Sequence, residues 1–303
     1  MLRIGVWFDP RHSAYGGPTT VLLGTILGFY QHAQESGLEI LILLNEPGDV
    51  NWSVDKGIDV QYNCLKAQNL WHGPACFAHA DAEVESFAEN NTWNFCRRAL
   101  FPSEWYQTWI CTGLPYNNPT VAEDRQHMIW PAGVDTEYFV PAAEETKKQD
   151  YFIYFKSQNN KTLLHVLKYL FDTYFGLRGT IITYYSYDHE ILKTTAQGSK
   201  FCIMIDNTET QGLASLEIMS VGCPLFVLDA TIYSGAKFGI QGSTSVTCWD
   251  PLCGLKSSLE KLETDFPEFI ANLPAYNPRP FVCDNYSYKA AARRLLEILR
   301  LEN

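Results

Sequence analysis

One stretch, Asn207 to Pro224 (NTETQGLASLEIMSVGCP), constrains this chain more than any other. It follows a short apolar run, Phe201 to Ile205, with the length and composition of a buried parallel strand. Gly212 lets the backbone turn tightly after Glu209. Leu213, Leu216, Ile218 and Met219 then recur at helical spacing, and Gly222 with Pro224 stops the helix. A strand, a polar turn and a helix N-terminus make an anion site, because the first helical amides are unpaired and the dipole is positive there. Glu209 stands in the turn, and Glu217 lies roughly one and a half turns into the helix, about 7–8 Å along its axis. Carboxylates accept paired hydroxyls, so this spacing suits a sugar at one glutamate and a ribose at the other. Taken alone, the same residues also read as a capped helix with two solvated glutamates.

With 303 residues the chain has room for two domains. Its 46% apolar residues can build cores, and 19% charged residues exclude a disordered chain. A net charge of −11 disfavours nucleic acid as a partner. No apolar run is long enough to span a membrane, which leaves only peripheral contact with one. Met1 to Trp7 reads as a first strand and not as a signal peptide. The nine cysteines are scattered without C-x-x-C or zinc spacing, so they read as reduced thiols of a cytoplasmic protein. No metal site is expected.

In chain order, Leu2–Trp7 is expected as a strand, Asp9–Pro18 as a loop and Thr19–Ser36 as a helix, with Val21, Leu22, Ile26, Phe29 and Tyr30 on one side. Glu39–Leu44 is the next strand, which makes a β-α-β start and a parallel sheet. Gly16 and Gly17 lie beyond the first strand's carboxyl end, where open α/β sheets bind ligands, but the loop lacks the G-x-G-x-x-G dinucleotide fingerprint. A strand is expected near Asp59–Tyr62. His72 precedes Gly73-Pro74 at a strand end and is a candidate for the rim of a site. His79 with Asp81 is a second candidate, although Asp81 reads equally as the cap of a helix over Ala82–Ala88. Cys96–Phe101 is a strand, Ser103 caps the helix that runs to Cys111, and Met128–Trp130 is the last strand of the first domain. Residues 133–150 hold the hinge. Tyr151–Phe155 opens the second domain. Lys156 follows that strand and Lys161 opens the next helix, Leu163–Phe171, a pairing of cations that suits a diphosphate. Thr180–Tyr184 is a strand, Tyr187–Gln197 a helix, Pro224–Leu228 a buried strand, and Leu259–Leu273 holds a helix. Tyr276–Pro280 is read as a loop and Tyr286–Leu301 as one terminal helix. Cys248 and Cys253 are read as packing residues.

Several of these segments, in this order, resemble retaining glycosyltransferases of the two-Rossmann-domain (GT-B) type, family 4 and its relatives. Glu209 and Glu217 with Gly212, Gly222 and Pro224 look like their E-x7-E motif. Gly16-Gly17-Pro18 resembles their N-domain loop, Pro102-Ser-Glu-Trp105 their P-S-E-W segment, and Pro131-Ala-Gly-Val-Asp135 through Phe139 their P-x-G-V-D linker. Where relatives carry G-R-x-x-x-x-K, this chain has Phe155-Lys156 and Lys161, which gives up bidentate geometry and keeps the charge. Trp249-Asp250-Pro-Leu-Cys253-Gly254 resembles a segment of a viral and polysaccharide-related subset.

The resemblance implies an α/β chain of two Rossmann-like domains facing each other across a cleft. Its first domain, residues 1–140, would take the acceptor, and residues 141–284 the nucleotide sugar. Residues 285–303 would form a helix packing back on the first domain. It implies sugar transfer from a UDP- or GDP-sugar co-substrate to a glycan or other hydroxyl acceptor, with retention, without a metal and without a further cofactor. Lys156 and Lys161 would neutralise the diphosphate, Glu209 would hold the donor sugar and Glu217 the ribose. Gly16, Gly17, Thr210, Gln211, Gly212 and Leu213 would line the donor site, and His72 would serve the acceptor side. The rival expectation is a catalytically silent nucleotide- or sugar-binding partner of an active transferase. The patterns of an epimerase or a glycogen-type phosphorylase are absent.

Overall fold

The computed structural model describes residues 1–8, 17–54, 70–73, 98–112, 126–143, 146–156, 161–184, 188–205, 208–233 and 240–300. Gly16, the strand near Asp59–Tyr62, His79, Asp81 and the helix over Ala82–Ala88 lie outside them, as do the side chains of His72 and Lys161.

The chain divides into two compact units. The first comprises Met1–Val134, Ser234–Ile240 and Tyr286–Asn303, and the second Asp135–Tyr233 with Gln241–Asn285. In the first unit, strands β1 (Leu2–Trp7), β2 (Ile40–Leu44), β3 (Val50–Ser53), β4 (Leu70–His72), β5 (Arg98–Phe101) and β6 (Gln126–Ile129) form one sheet in the order β2-β1-β3-β4-β5-β6. Every pairing in it is parallel. Such a sheet is covered on both faces, and Ile4, Val6, Trp52, Trp71 and Leu100 are accordingly buried.

Helix α1 (Gly17–Ser36) follows β1. Its buried stripe runs through Val21, Leu22, Thr25 and Phe29, whereas Tyr30, expected on the same side, is exposed. The glycines explain the difference. A Cβ on Gly28 would strike the Tyr288 carbonyl group and come within 2.8 Å of Ala292 Cβ. The close-packed face of α1 therefore includes Gly24 and Gly28, and it meets the C-terminal helix there. Helix α2 (Glu104–Thr112) follows β5. Ser103 precedes it as expected, but its buried hydroxyl has no hydrogen-bond partner among the described residues, so it does not cap. Its carbonyl instead accepts from Gln107 N.

In the second unit, β7 (Gln149–Phe155), β8 (Gly179–Thr183), β9 (Ser199–Ile205), β10 (Leu225–Leu228) and β11 (Gly254–Ser257) form a five-stranded sheet in the order β11-β10-β9-β7-β8, again all parallel. Between them run α3 (Lys161–Tyr169), continued by a π-turn over Leu170–Tyr174, α4 (His189–Gln197) and α5 (Leu213–Ser220), and α6 (Leu262–Asn272) follows β11. Tyr151, Phe171, Phe201, Phe226, Phe266 and Phe269 make an aromatic core under one face of this sheet. Cys202, Cys223, Cys248 and Cys253 are buried.

Two expectations near the C-terminus are corrected. Tyr276–Pro280 is not all loop, because helix α7 runs from Pro278 to Tyr286. Pro278 and Pro280 stand in its first turn, where a missing amide costs nothing. The terminal helix is also two helices, since Ser287 interrupts it and caps α8 (Tyr288–Leu299) by accepting from Ala290 N at 3.2 Å. At this break Val134 and Tyr288 exchange backbone bonds with their neighbours: Val134 N donates to Tyr286 O at 2.8 Å and Tyr288 N to Val134 O at 3.1 Å. The end of the first unit's opening segment, at Val134, and the start of its last segment, at Tyr286, thus lie side by side.

Candidate functional site

The candidate site of the second unit lies at the carboxyl ends of its parallel strands, where β7 delivers Lys156 and β9 leads to the Glu209 turn. In open α/β sheets these ends are where ligands bind. Gly212 is the N-cap of α5 with φ +77°, the left-handed region that glycine enters without penalty. A Cβ there would sit 2.9 Å from Ser215 Oγ and 3.3 Å from Glu209 Cγ. Glycine thus permits both the turn and the position of the glutamate.

Glu209 is held from three directions. Its backbone N donates to Thr244 O at 2.9 Å. Its Oε1 accepts from the amides of Thr210 at 3.0 Å and Gln211 at 3.3 Å. Its Oε2 pairs with Lys156 Nζ, and the side chains are only 12% (Lys156) and 17% (Glu209) exposed. Lys156 also lies over the Tyr184 ring at 4.8 Å. Burial pushes the Glu209 carboxyl up, but the Lys156 charge and the turn amides outweigh it and leave it below the usual range.

Residues 244–247 support this turn. Thr247 Oγ1 donates to Gln211 O at 2.7 Å. Lys256 from β11 donates to Thr244 Oγ1 at 2.6 Å and Val246 O at 2.7 Å, and Asp229 Oδ1 accepts from Thr244 Oγ1 at 2.8 Å. Sequence reasoning missed this support, because its members are far from Glu209 in sequence and carry no motif.

Glu217 is not solvated. Its residue is 4% exposed, and its Oε1 lies 3.2 Å from Nδ1 of His189, the first residue of α4, whose side chain is 56% exposed. Burial pushes the Glu217 carboxyl up, while the hydrogen bond to Glu217 raises His189. The ring of Phe139 packs edge-on against His189, with centroids 5.9 Å apart. Phe139 belongs to the P-x-G-V-D segment, and Arg279 fixes that segment by donating to Phe139 O at 2.9 Å and Thr136 O at 3.1 Å. Neither His189 nor Arg279 was singled out from the sequence, since nothing there marks which helix end faces Glu217.

The structure therefore joins Lys156 with Glu209, Thr210 and Gln211, and places Gly212 and Leu213 at the start of α5. Glu217 sits further along the same helix, with His189 as its partner in place of open solvent. Lys161 opens α3 and His72 ends β4. Gly17 opens α1. Among the described residues no three His, Cys, Asp or Glu side chains form a group able to hold a metal ion, and no helix is long and apolar enough to cross a membrane.

No protein-family model matches the chain, and no curated protein sequence does. Solved structures do. The lipopolysaccharide outer core galactosyltransferase WaaB has a TM-score of 0.55 and 11% identity, over 98% of both chains. Sucrose-phosphate synthase from Thermosynechococcus elongatus has a TM-score of 0.52 and 12% identity, over 99% of this chain and 98% of that one. The catalytic domain of starch synthase IV from Arabidopsis thaliana, bound to ADP and acarbose, has a TM-score of 0.51 and 11% identity, over 95% of this chain and 78% of that one. At such identities the likeness is one of fold. With two α/β units, each on a wholly parallel sheet, this chain has the fold of the GT-B glycosyltransferases.

Proposed function

We propose that the protein is a retaining, metal-independent glycosyltransferase that moves a sugar from a nucleoside-diphosphate sugar to a hydroxyl acceptor. The observation that carries this reading is the Lys156–Glu209 pair at the N-terminus of α5, with Glu217 buried further along the same helix. The GT-B fold and the solved structures that share it add support. One of these is a transferase in complex with UDP and GlcNAc.

In this reading the donor diphosphate takes Lys156 from Glu209. A buried cation already desolvated by its pair can exchange one anion for another at small cost, and it faces charge that grows as the sugar–phosphate bond breaks. Lys161, at the start of α3, supplies the second positive charge. Glu209, released from Lys156 yet still held by the Thr210 and Gln211 amides, accepts hydrogen bonds from the sugar hydroxyls. The positive end of α5 adds to the field on the leaving group. Two lysines and a helix terminus then do what a divalent ion does elsewhere. Acceptor binding falls to the first unit, with His72 as the candidate residue there.

The test is turnover of a panel of UDP-, GDP- and ADP-sugars, with and without EDTA, by wild type and Lys161→Ala. Release of nucleoside diphosphate that resists EDTA and is lost in the variant supports the reading. Wild-type-like turnover in the variant removes the diphosphate assignment. Binding of a nucleotide without any turnover moves the protein to the silent partner class, which the replacement of glycine by the buried Phe155 would favour.

A further inference from the structure

Glu217 is too deeply buried to meet a ligand by itself, and its partner is not. Only 5% of its side chain is accessible against 56% for His189. His189 also stands at the N-terminus of α4, the helix that follows β8, and so belongs to the same carboxyl edge of the sheet as Lys156 and the Glu209 turn. With Nδ1 turned to Glu217 Oε1 and one ring edge against Phe139, the imidazole has a fixed orientation, and its second nitrogen, Nε2, is the one left to face outward.

We propose that His189 is a nucleotide-binding residue that acts with Glu217 as one unit: Glu217 orients the ring, Nε2 makes the contact with the nucleotide, and binding takes up a proton. This deepens the donor assignment above and rests on it. An imidazolium is an N–H donor at both nitrogens, so Nε2–H serves a ribose or phosphate oxygen while Nδ1–H serves Glu217. A bound diphosphate adds negative charge and favours the protonated ring.

The groups facing His189 agree with that sign. Glu217 faces it from α5, and Asp188 precedes it and caps α4 by accepting from Ile191 N at 2.8 Å. Phe139, from the linker segment, is uncharged. Next along α4, Glu190 is paired with Lys193 at 2.8 Å and with the Tyr138 hydroxyl, so those charges largely cancel. The free ring already titrates above its ordinary value because of Glu217. Nucleotide affinity should therefore be greatest below the pKa of free His189 and fall as pH rises through that value.

The experiment is calorimetric titration of the full chain with UDP-glucose, GDP-mannose and ADP-glucose from pH 5.5 to 8.5. These donors carry no group that titrates in that window. The expected result is one donor bound about tenfold more tightly at pH 6 than at pH 8, with proton uptake seen by varying the buffer. His189→Asn, which can still donate to Glu217 but cannot titrate, should bind that donor more weakly at pH 6 and with a flat profile. An NMR titration of the wild-type ring should give a higher pKa with donor than without, and a lower one in Glu217→Gln. The same affinity and slope in His189→Asn, or a ring pKa unmoved by the donor, overturns the proposal while leaving the donor assignment intact. Failure of wild type to bind any of the donors at any pH overturns both. The ring titration needs no variant, so it decides the matter even if His189→Asn does not fold.

Discussion

At the scale of residues, the site is a set of charges placed where water is scarce. Lys156 and Glu209 are each tolerable there only because of the other. Removing one partner of a buried pair leaves an unpaired charge, which costs about 3–5 kcal/mol. Lys156→Met should therefore lower stability by roughly 3 kcal/mol, read from urea midpoints at pH 7. The sign with pH is specific. In wild type the Glu209 pKa lies below its unfolded value of 4.5, so its stabilisation is present above that value and is lost as pH falls through the lower, folded pKa. In Lys156→Met burial is opposed only by the turn amides, so the folded pKa lies higher than in wild type, and the variant should lose less stability than wild type on acidification. Melting curves between pH 3 and 7 check this convergence. Gly212→Ala forces a Cβ into a left-handed conformation against Ser215 and Glu209, at about 1–2 kcal/mol. If the proposed function holds, it should also weaken donor binding, because Glu209 must move. Unchanged affinity with unchanged stability would contradict the geometry described for the turn.

At the scale of elements, the sequence was most readable where periodicity and burial coincide. The apolar runs at Leu2–Trp7, Tyr151–Phe155 and Phe201–Ile205 became central parallel strands because both faces of each are covered. Gly212, Gly222 and Pro224 bounded α5 because their backbone demands are local. Reading failed where the deciding contact is distant. Tyr30 fits the apolar periodicity of α1, yet Gly24 and Gly28 take the packed face because another helix needs their missing side chains. The break at Ser287 depends on backbone bonds from Val134, and the prolines of α7 read as loop because proline punctuates and starts helices alike. Glu209 and Glu217 were legible as a spacing. The His189 partner and the Thr244–Lys256 support were not, since each joins elements separated by other strands. The α1–α8 contact gives the test at this scale. Gly28→Leu must displace the Tyr288 backbone and Ala292, and overpacking of this kind costs about 1–3 kcal/mol or more. Thermal unfolding followed by near-ultraviolet circular dichroism should show the loss, with the tryptophan signals of the first unit going first.

At the scale of the whole molecule, the first unit is written in pieces and the second lies between them. Residues 286–300 carry α8, whose Ala291 carbonyl accepts from the buried Trp130 indole at 2.8 Å and whose Ala290, Ala291, Ala292, Leu295 and Leu296 are all buried. Chain termination at residue 285 should thus unfold the first unit and spare the second. Separate expression of residues 135–285 should give a folded, protease-resistant body. A soluble, unfolded fragment would show that the second unit depends on its neighbour.

The adjacency of Val134 and Tyr286 gives this arrangement a history in time. A ribosome makes β1 to β6 first, but that sheet must wait, with its α1 glycine face bare, until α8 emerges. Residues 135–285, made in between, carry all five strands of the second sheet within their own stretch. The order of birth is then the reverse of the order of completion: the second unit has all five strands of its sheet first, and the opening unit closes only once α8 has been made. Slow decoding of the α8 codons would lengthen the exposure of that half-built sheet and leave the other sheet untouched.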